Sequence, residues 1–317
     1  MEKKVIRIGT RDSQLALWQA KKVQQLLEEA GNETELVPVK SEGDLDLVTP
    51  LYAMGVQGVF TKTLDAFLLS NKIDIAVHSM KDVPTQLAQG IVQAAVLPRA
   101  DVHDILVLKT NHWEKKENNW ERKNNEIPFH IGTGSVRRKA QWLNKYPDSK
   151  LDNLRGNVQT RLRKLEENEW DGAIFAAAGL DRVSLLPENS FALDWMLPAP
   201  AQGAIMIVCR QEEVSTKSIC ASMNHEPTAL CVRVERDFLR TLMGGCSTPI
   251  GAYAYIADAK IHFKGNILSP DGKHKQEIEL RDEYHINSDI GMRAAKELLK
   301  KGAGSIIEEI RQFEKDN

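Results

Sequence analysis

The chain has 317 residues, with 42 Lys and Arg against 44 Asp and Glu and a formal net charge of -2. With 42% hydrophobic and 27% charged residues it reads as an ordinary globular protein of two or three domains, which excludes disordered, collagen-like and coiled-coil classes. A near-neutral chain has no general attraction for nucleic acid or anionic lipid, so a basic site has to be local. The start, MEKKVIRIG, lacks the apolar core of a secretory signal, and no apolar run approaches the roughly 20 residues of a membrane span. A cytoplasmic location is expected. Cys209, Cys220, Cys231 and Cys246 form no C-x-x-C pair, and none has a His at metal-ligand spacing.

In chain order, Val5–Gly9 reads as a buried strand. Ser13 then caps a helix with apolar Leu15, Trp18, Val23, Leu26 and Leu27, closed by Gly31. Glu35–Val39 is a strand, 41–58 a glycine-bearing polar loop, Thr61–Leu69 a helix and Ile73–Val77 an apolar strand. Alternating strands and helices predict a parallel, doubly wound sheet. The pattern restarts at Phe129–Ile131, with helices near Ser135–Lys145 and Val158–Asn168 and a strand at Ala173–Ala177. Between these units Lys109–Asn125 is charged, Asn-rich and aperiodic, and reads as a solvated insertion. Leu197 onward returns as an extended segment into a strand, and Glu226–Leu242 is a helix. Gly251–Ile256, Lys260–Leu268 and Gln276–Leu280 are three strands with a hairpin turn at Asp271-Gly272, followed by helices at Asn287–Lys301 and Ser305–Phe313. The fold class is α/β: two doubly wound domains, 1–105 with 201–221 and 106–200, and a smaller domain, 222–317, with an antiparallel sheet under helices.

In doubly wound sheets ligands sit beyond the carboxyl ends of the strands, beside helix N-termini. Arg11 and Ser13 follow the first strand, and His78, Ser79, Lys81 and Asp82 follow Ile73–Val77. Gly132-Thr-Gly-Ser135-Val-Arg137-Arg138, Leu154-Arg155 through Arg161, and Gly179 through Arg182 add further arginines. Guanidinium forks match carboxylates bidentately, so six arginines on strand-end loops point to a multiply carboxylated small molecule. The alternative is a set of ordinary surface side chains, whose loss affects folding by only about 0–1 kcal/mol. Lys81-Asp82 is either an acid tuned for proton transfer or a surface ion pair before Pro84. Cys246, in Gly244-Gly245-Cys246-Ser-Thr-Pro249, is either an exposed reactive thiol or a small buried hydrophobe.

IGTRDSQLALWQA, DIAVHSMKDVPT, GTGSVRRKAQ, LRGNVQTRL, AAAGLDR, PAPAQGAI and GGCSTPIGAY occur in that order along essentially the whole chain. This series resembles the porphobilinogen deaminase (hydroxymethylbilane synthase) family of tetrapyrrole and haem biosynthesis. The resemblance implies two α/β domains similar to periplasmic binding proteins and a third with the reactive cysteine. It also implies a transferase that deaminates four porphobilinogens and joins them head to tail into hydroxymethylbilane, releasing ammonia. By the same resemblance a dipyrromethane cofactor is held through a thioether to Cys246, with Lys81, Asp82, Ser135, Arg137 and Arg138 binding it. Arg11, Ser13, Arg155, Arg161 and Arg182 bind substrate, Asp82 is the catalytic carboxylate, and no metal is needed. Porphobilinogen is the implied small-molecule partner; a monomer is implied, with no nucleic-acid or membrane partner. The chain departs from the family where lysines are usual in the glycine-rich loop, which here has Ala53 and Gln57, and where His103 replaces an arginine. The rival expectation, from the two-domain arginine cleft alone, is a non-catalytic anion-binding protein of periplasmic type.

Overall fold

The computed structural model describes residues 5–40, 61–116, 119–124, 126–242 and 248–316. Its first sheet takes the order β2-β1-β3-β12-β4. It is built from β1 (Ile6–Arg11), β2 (Thr34–Val39), β3 (Ile75–Ser79), β4 (Ile91–Val96) and β12 (Ile205–Arg210). Helix α1 (Gln14–Glu29) is capped by Ser13, whose Oγ accepts from Ala16 N at 3.3 Å, and α2 is Lys62–Leu69. The first three residues of β3, Ile75, Ala76 and Val77, are apolar and buried because both faces are covered. Ile75 and Val77 pack with Ala20, Val23 and Leu27 of α1, while Ala76 packs with Leu64 and Leu68 of α2. The polar loop expected at 41–58 lies outside the described residues.

The second sheet, β11-β5-β10-β8-β9, repeats the plan. Its strands are β5 (Asp104–Leu108), β8 (His130–Gly132), β9 (Lys150–Asp152), β10 (Gly172–Ala176) and β11 (Ser190–Ala192). Around it lie α3 (Val136–Lys145), α4 (Val158–Glu167) and α5 (Ala177–Asp181). Here too alternate residues serve two cores: Phe175 packs with Leu165 and Leu180, and Ile174 with Trp142 and Trp113. Because β5 starts at Asp104, the second sheet begins two residues before 106, where the second domain is expected to start.

Neither sheet is wholly parallel, contrary to the expectation from strand–helix alternation. β1 runs parallel to β2 and β3, but β12 is antiparallel to β3 and β4, and β5 is antiparallel to β10 and β11. β12 comes back from the second sheet without a crossover helix, so it enters the first sheet from the opposite end. Lys109–Asn125 also differs from the expected solvated loop. β6 (Trp113–Lys116) and β7 (Asn119–Arg122) pair as an antiparallel hairpin. Trp113 is buried and donates its indole N–H to the Asp171 carbonyl at 2.7 Å, and Arg122 pairs with the Asp171 carboxylate at 2.7 Å.

The third sheet is the meander β13 (Ile250–Ala257), β14 (Lys260–Leu268) and β15 (Lys275–Glu283). Between β14 and β15 the chain turns at Asp271-Gly272 as expected, with Gly272 at φ +77°. Helix α6 (Val214–Ala221) packs on the first sheet, while one face of the third is covered by α7 (Glu226–Thr241), α8 (Ile290–Leu298) and α9 (Gly304–Asp316), whose Phe238, Leu298 and Ile306 share a core with Phe263 and Ile278. The buried Glu235 of α7 joins this unit to the rest. Its carboxylate takes a two-pronged ion pair from Arg99 at 2.6 and 3.0 Å and accepts from Ala201 N and Ala254 N, each at 2.7 Å.

Removing one partner of a buried ion pair typically costs about 3–5 kcal/mol, because the other charge stays buried. Glu235→Ala is therefore expected to lose about that much in urea unfolding, and Glu235→Gln less, since it keeps acceptors for the two amides. A loss below about 1 kcal/mol, the range of surface pairs, would show that this junction holds little of the structure together.

Candidate active site

The expected site residues stand at the carboxyl ends of strands in both sheets. Arg11 ends β1, the short 3-10 turn Met80–Asp82 follows β3, Ser135 follows β8, and Arg155 follows β9. Two helix starts are tied to this region by caps. Ser135 Oγ accepts from Arg138 N at 3.4 Å, and Asn157 Oδ1 accepts from Thr160 N at 2.9 Å. The loops before these helices meet closely: a Cβ on Gly134 would lie 2.4 Å from the Leu154 carbonyl oxygen, and Gly156 has φ +112°. Only glycine meets both conditions without strain. Helix N-termini with free N–H groups suit carboxylate ligands.

Arg137 and Arg138 are buried, at 4% and 5% exposure, and both are held by Asp104. Arg137 Nη1 donates to Asp104 Oδ2 at 2.6 Å, while Arg138 donates to Oδ1 through Nε at 3.0 Å and Nη2 at 2.7 Å. Gln202 Nε2 also reaches Oδ1, at 3.0 Å, and its Oε1 accepts from Lys81 Nζ at 3.3 Å. Burial would raise the Asp104 pKa, but the two arginines overrule it and hold the carboxyl far below the usual range. The surface-charge reading of these two arginines is thus wrong: sequence showed the guanidinium groups but not the carboxylate beneath them. Asp104 and Gln202 are the members of the site that the sequence reading missed. The signal available was an acid opening an all-apolar strand, DILVL.

The remaining groups surround this buried pair. Burial lowers the Arg161 pKa to about 10, helped by the positive charges of Arg138 and Arg155 and, more weakly, Arg11, with Asp82 acting the other way. Burial likewise pushes Lys81 down to about 8, against the pull of Asp82 and with the push of Arg138. His78 is pushed down to about 4 by burial and by Arg11, so it adds no charge near neutral pH. Arg11, Lys81, Arg137, Arg138, Arg155 and Arg161 therefore act on one another across the two sheets, and the carboxylates acting on them are Asp82 and Asp104. Asp104 is committed. Asp82 is half-buried, and its side chain has no hydrogen bond to any described residue.

Two expected residues have other local duties. Ser13 is occupied as the cap of α1. Arg182 donates to the Gly203 carbonyl at 2.6 Å and stands 5.7 Å from the ring of Trp18, which is exposed instead of facing the core. Its pKa is lowered to about 10 by burial. Cys246 lies outside the described residues. The thiols of Cys220 and Cys231 are pushed up to about 12 by burial, and Cys209 is raised for the same reason, which suppresses the thiolate at all three.

A family model described as the porphobilinogen deaminase, dipyromethane cofactor binding domain matches residues 6–218, and the porphobilinogen deaminase C-terminal domain matches residues 229–300. This chain belongs to the porphobilinogen deaminase family. The chloroplastic porphobilinogen deaminase of Oryza sativa subsp. japonica is 41% identical over 320 residues, covering 97% of this chain and 87% of that protein. Among solved structures, the VFT2 domain of Bordetella pertussis BvgS covers 69% of this chain and 86% of its own, at 11% identity and a TM-score of 0.41. The methionine binding protein MetQ covers 69% and 89%, at 13% identity and a TM-score of 0.41. The match of family models along most of the chain sets aside a non-catalytic anion-binding protein.

The donor set fits the family's cofactor. A dipyrromethane presents several carboxylates, and this cleft offers an excess of guanidinium and ammonium groups beside two capped helix starts. Arg137 Nε is buried without a hydrogen-bond partner among the described residues, a donor of the kind a carboxylate would satisfy.

Arg138→Leu is expected to cost about 3–5 kcal/mol in urea unfolding, because it strips a buried carboxylate of its bidentate partner. In an Asp104→Asn background the same change should cost clearly less, as coupled neighbours do. Additive losses in the two variants would mean that Arg138 and Asp104 do not depend on each other.

Proposed function

We propose that this protein is a porphobilinogen deaminase. In this reading it releases ammonia from four porphobilinogens and joins them head to tail into hydroxymethylbilane. The observation that carries the reading is the gathering of six cationic side chains from two sheets around two carboxylates, of which Asp104 is committed and Asp82 is not. When bound, the dipyrromethane supplies the pyrrole to which the first substrate unit is joined.

Arg11, Lys81, Arg155 and Arg161, with Ser13 and Ser135 at helix starts, are assigned to the carboxylates of cofactor and substrate. Arg137 and Arg138 contribute charge from below while remaining anchored on Asp104, and Arg182 lines the edge of the cleft. When the carbon–nitrogen bond of the substrate breaks, nitrogen leaves with the electron pair as ammonia and a methylene-pyrrole cation remains. Asp82 stabilises that cation through its pyrrole N–H and takes part in removing the proton lost after coupling. Lys81, whose ammonium is weakened by burial, sits beside Asp82. Cys246 is assigned as the attachment point, a role supported by the suppressed thiolates of the other three cysteines. The domain division of 1–105 with 201–221, 106–200 and 222–317, a monomeric state and a cytoplasmic location belong to the same proposal. No helix among the described residues is long and apolar enough to cross a membrane.

Asp82→Asn keeps the shape but removes the charge. Its single-turnover ammonia release is expected to fall by about 10²–10⁴-fold in protein with full cofactor content, and Asp82→Glu should keep part of the rate. Near-normal release from Asp82→Asn would remove Asp82 from the chemistry.

Intact mass under denaturing conditions checks the attachment. The protein is expected to be heavier than its sequence by one two-pyrrole unit, and Cys246→Ser to lack the increment. An increment retained in Cys246→Ser would move the attachment elsewhere.

A further inference from the structure

Asp82 has no hydrogen bond to a described residue, so its placement depends on the backbone of the turn that carries it. That turn is short and poorly tied. Met80 N donates to the Ala204 carbonyl at 3.0 Å and Val83 N donates to the Met80 carbonyl at 3.2 Å, while Pro84 has no N–H to give. One carbonyl of the turn and those of the two residues after it instead face a single side chain from the third structural unit. Arg236 of α7 donates through Nη1 to the carbonyl oxygens of Val83 at 2.9 Å and Met80 at 3.4 Å, and through Nη2 to that of Pro84 at 2.6 Å.

The neighbouring Glu235 fixes this stretch of α7 through Arg99, Ala201 N and Ala254 N. Arg236 therefore reaches the turn from a helix that is itself immobilised. A planar fork can serve two adjacent carbonyls at once, which a lysine ammonium cannot do in the same geometry.

We propose that Arg236 is a positioning residue for Asp82, tying the catalytic turn to the helix that leads in sequence toward Cys246. The inference rests on the assignment of Asp82 as the catalytic carboxylate. Arg236 touches neither substrate nor cofactor in this role; it acts by holding three backbone carbonyls. Small misplacements of a catalytic group cost about 10²-fold in rate, and that is the loss expected of Arg236→Met, which keeps the apolar stem and removes the fork.

Three measurements on holoenzyme test the proposal: intact mass, single-turnover ammonia release, and release with added guanidinium chloride far below denaturing concentrations. Arg236 borders an open groove of about 340 Å³ that also touches Met80, Thr85 and Arg233, so a free guanidinium ion has access to the vacated place. Arg236→Met is expected to carry the full mass increment, to release ammonia about 10²-fold more slowly, and to recover partly with guanidinium. The double variant Arg236→Met/Asp82→Asn should be no slower than Asp82→Asn alone, since an arginine acting through Asp82 has nothing left to position. Losses that multiply in the double variant, a missing mass increment in Arg236→Met, or an unchanged rate would each overturn the proposal. If Arg236→Met does not fold, Arg236→Lys runs the same cycle, with a smaller loss and the same absence of further loss on Asp82→Asn. Failure of the underlying functional reading shows separately, as wild-type protein that lacks the increment or releases no ammonia.

Discussion

Asp104 begins β5 with its carboxylate fully buried and takes hydrogen bonds from Arg137, Arg138 and Gln202. One negative charge thus holds two positive ones in the interior. In a low-dielectric setting that pairing orients the guanidinium groups firmly and leaves a positive surplus. The surplus is felt nearby: burial and the neighbouring arginine charges lower the pKa of Arg161, and burial and Arg138 lower that of Lys81. The cleft is arranged to favour ligands that bring carboxylates with them.

That arrangement has a thermodynamic consequence. The like charges gathered around Asp82 repel one another in the ligand-free protein, and each carboxylate that enters relieves part of the repulsion. A ligand that binds the folded chain and not the unfolded one stabilises it by mass action. A covalently retained polycarboxylate would do so permanently, so the cofactor of this family belongs to the structural logic of the cleft as well as to its chemistry.

The third unit contributes through α7. Glu235 anchors the helix to Arg99 and to backbone amides on both sides, and Arg236, one residue on, reads the carbonyls of the Met80–Asp82 turn and its continuation. Adjacent residues of one helix point in different directions, which lets this pair fasten the helix on one side and the turn on another. The same helix ends five residues before Cys246 in sequence.

Much of this was legible in the amino-acid order because it depends on neighbours in the chain. The cap at Ser13, the helix it starts, the apolar start of β3 and the Asp271-Gly272 turn follow from local chemistry and periodicity, and the arginines were visible at the strand ends. Tertiary structure alone decided the direction of β12, because strand pairing depends on where a distant segment enters the sheet. It made a hairpin of the polar stretch after Lys109, because Asp171, far along the chain, accepts from both Trp113 and Arg122. It also separated Arg137 and Arg138 from the cleft's other arginines, by placing under them a carboxylate from 33 and 34 residues earlier. Sequence shows which side chains carry charge; whether a charge is held in the interior or offered to a ligand depends on which counter-charge the fold brings within about 3 Å.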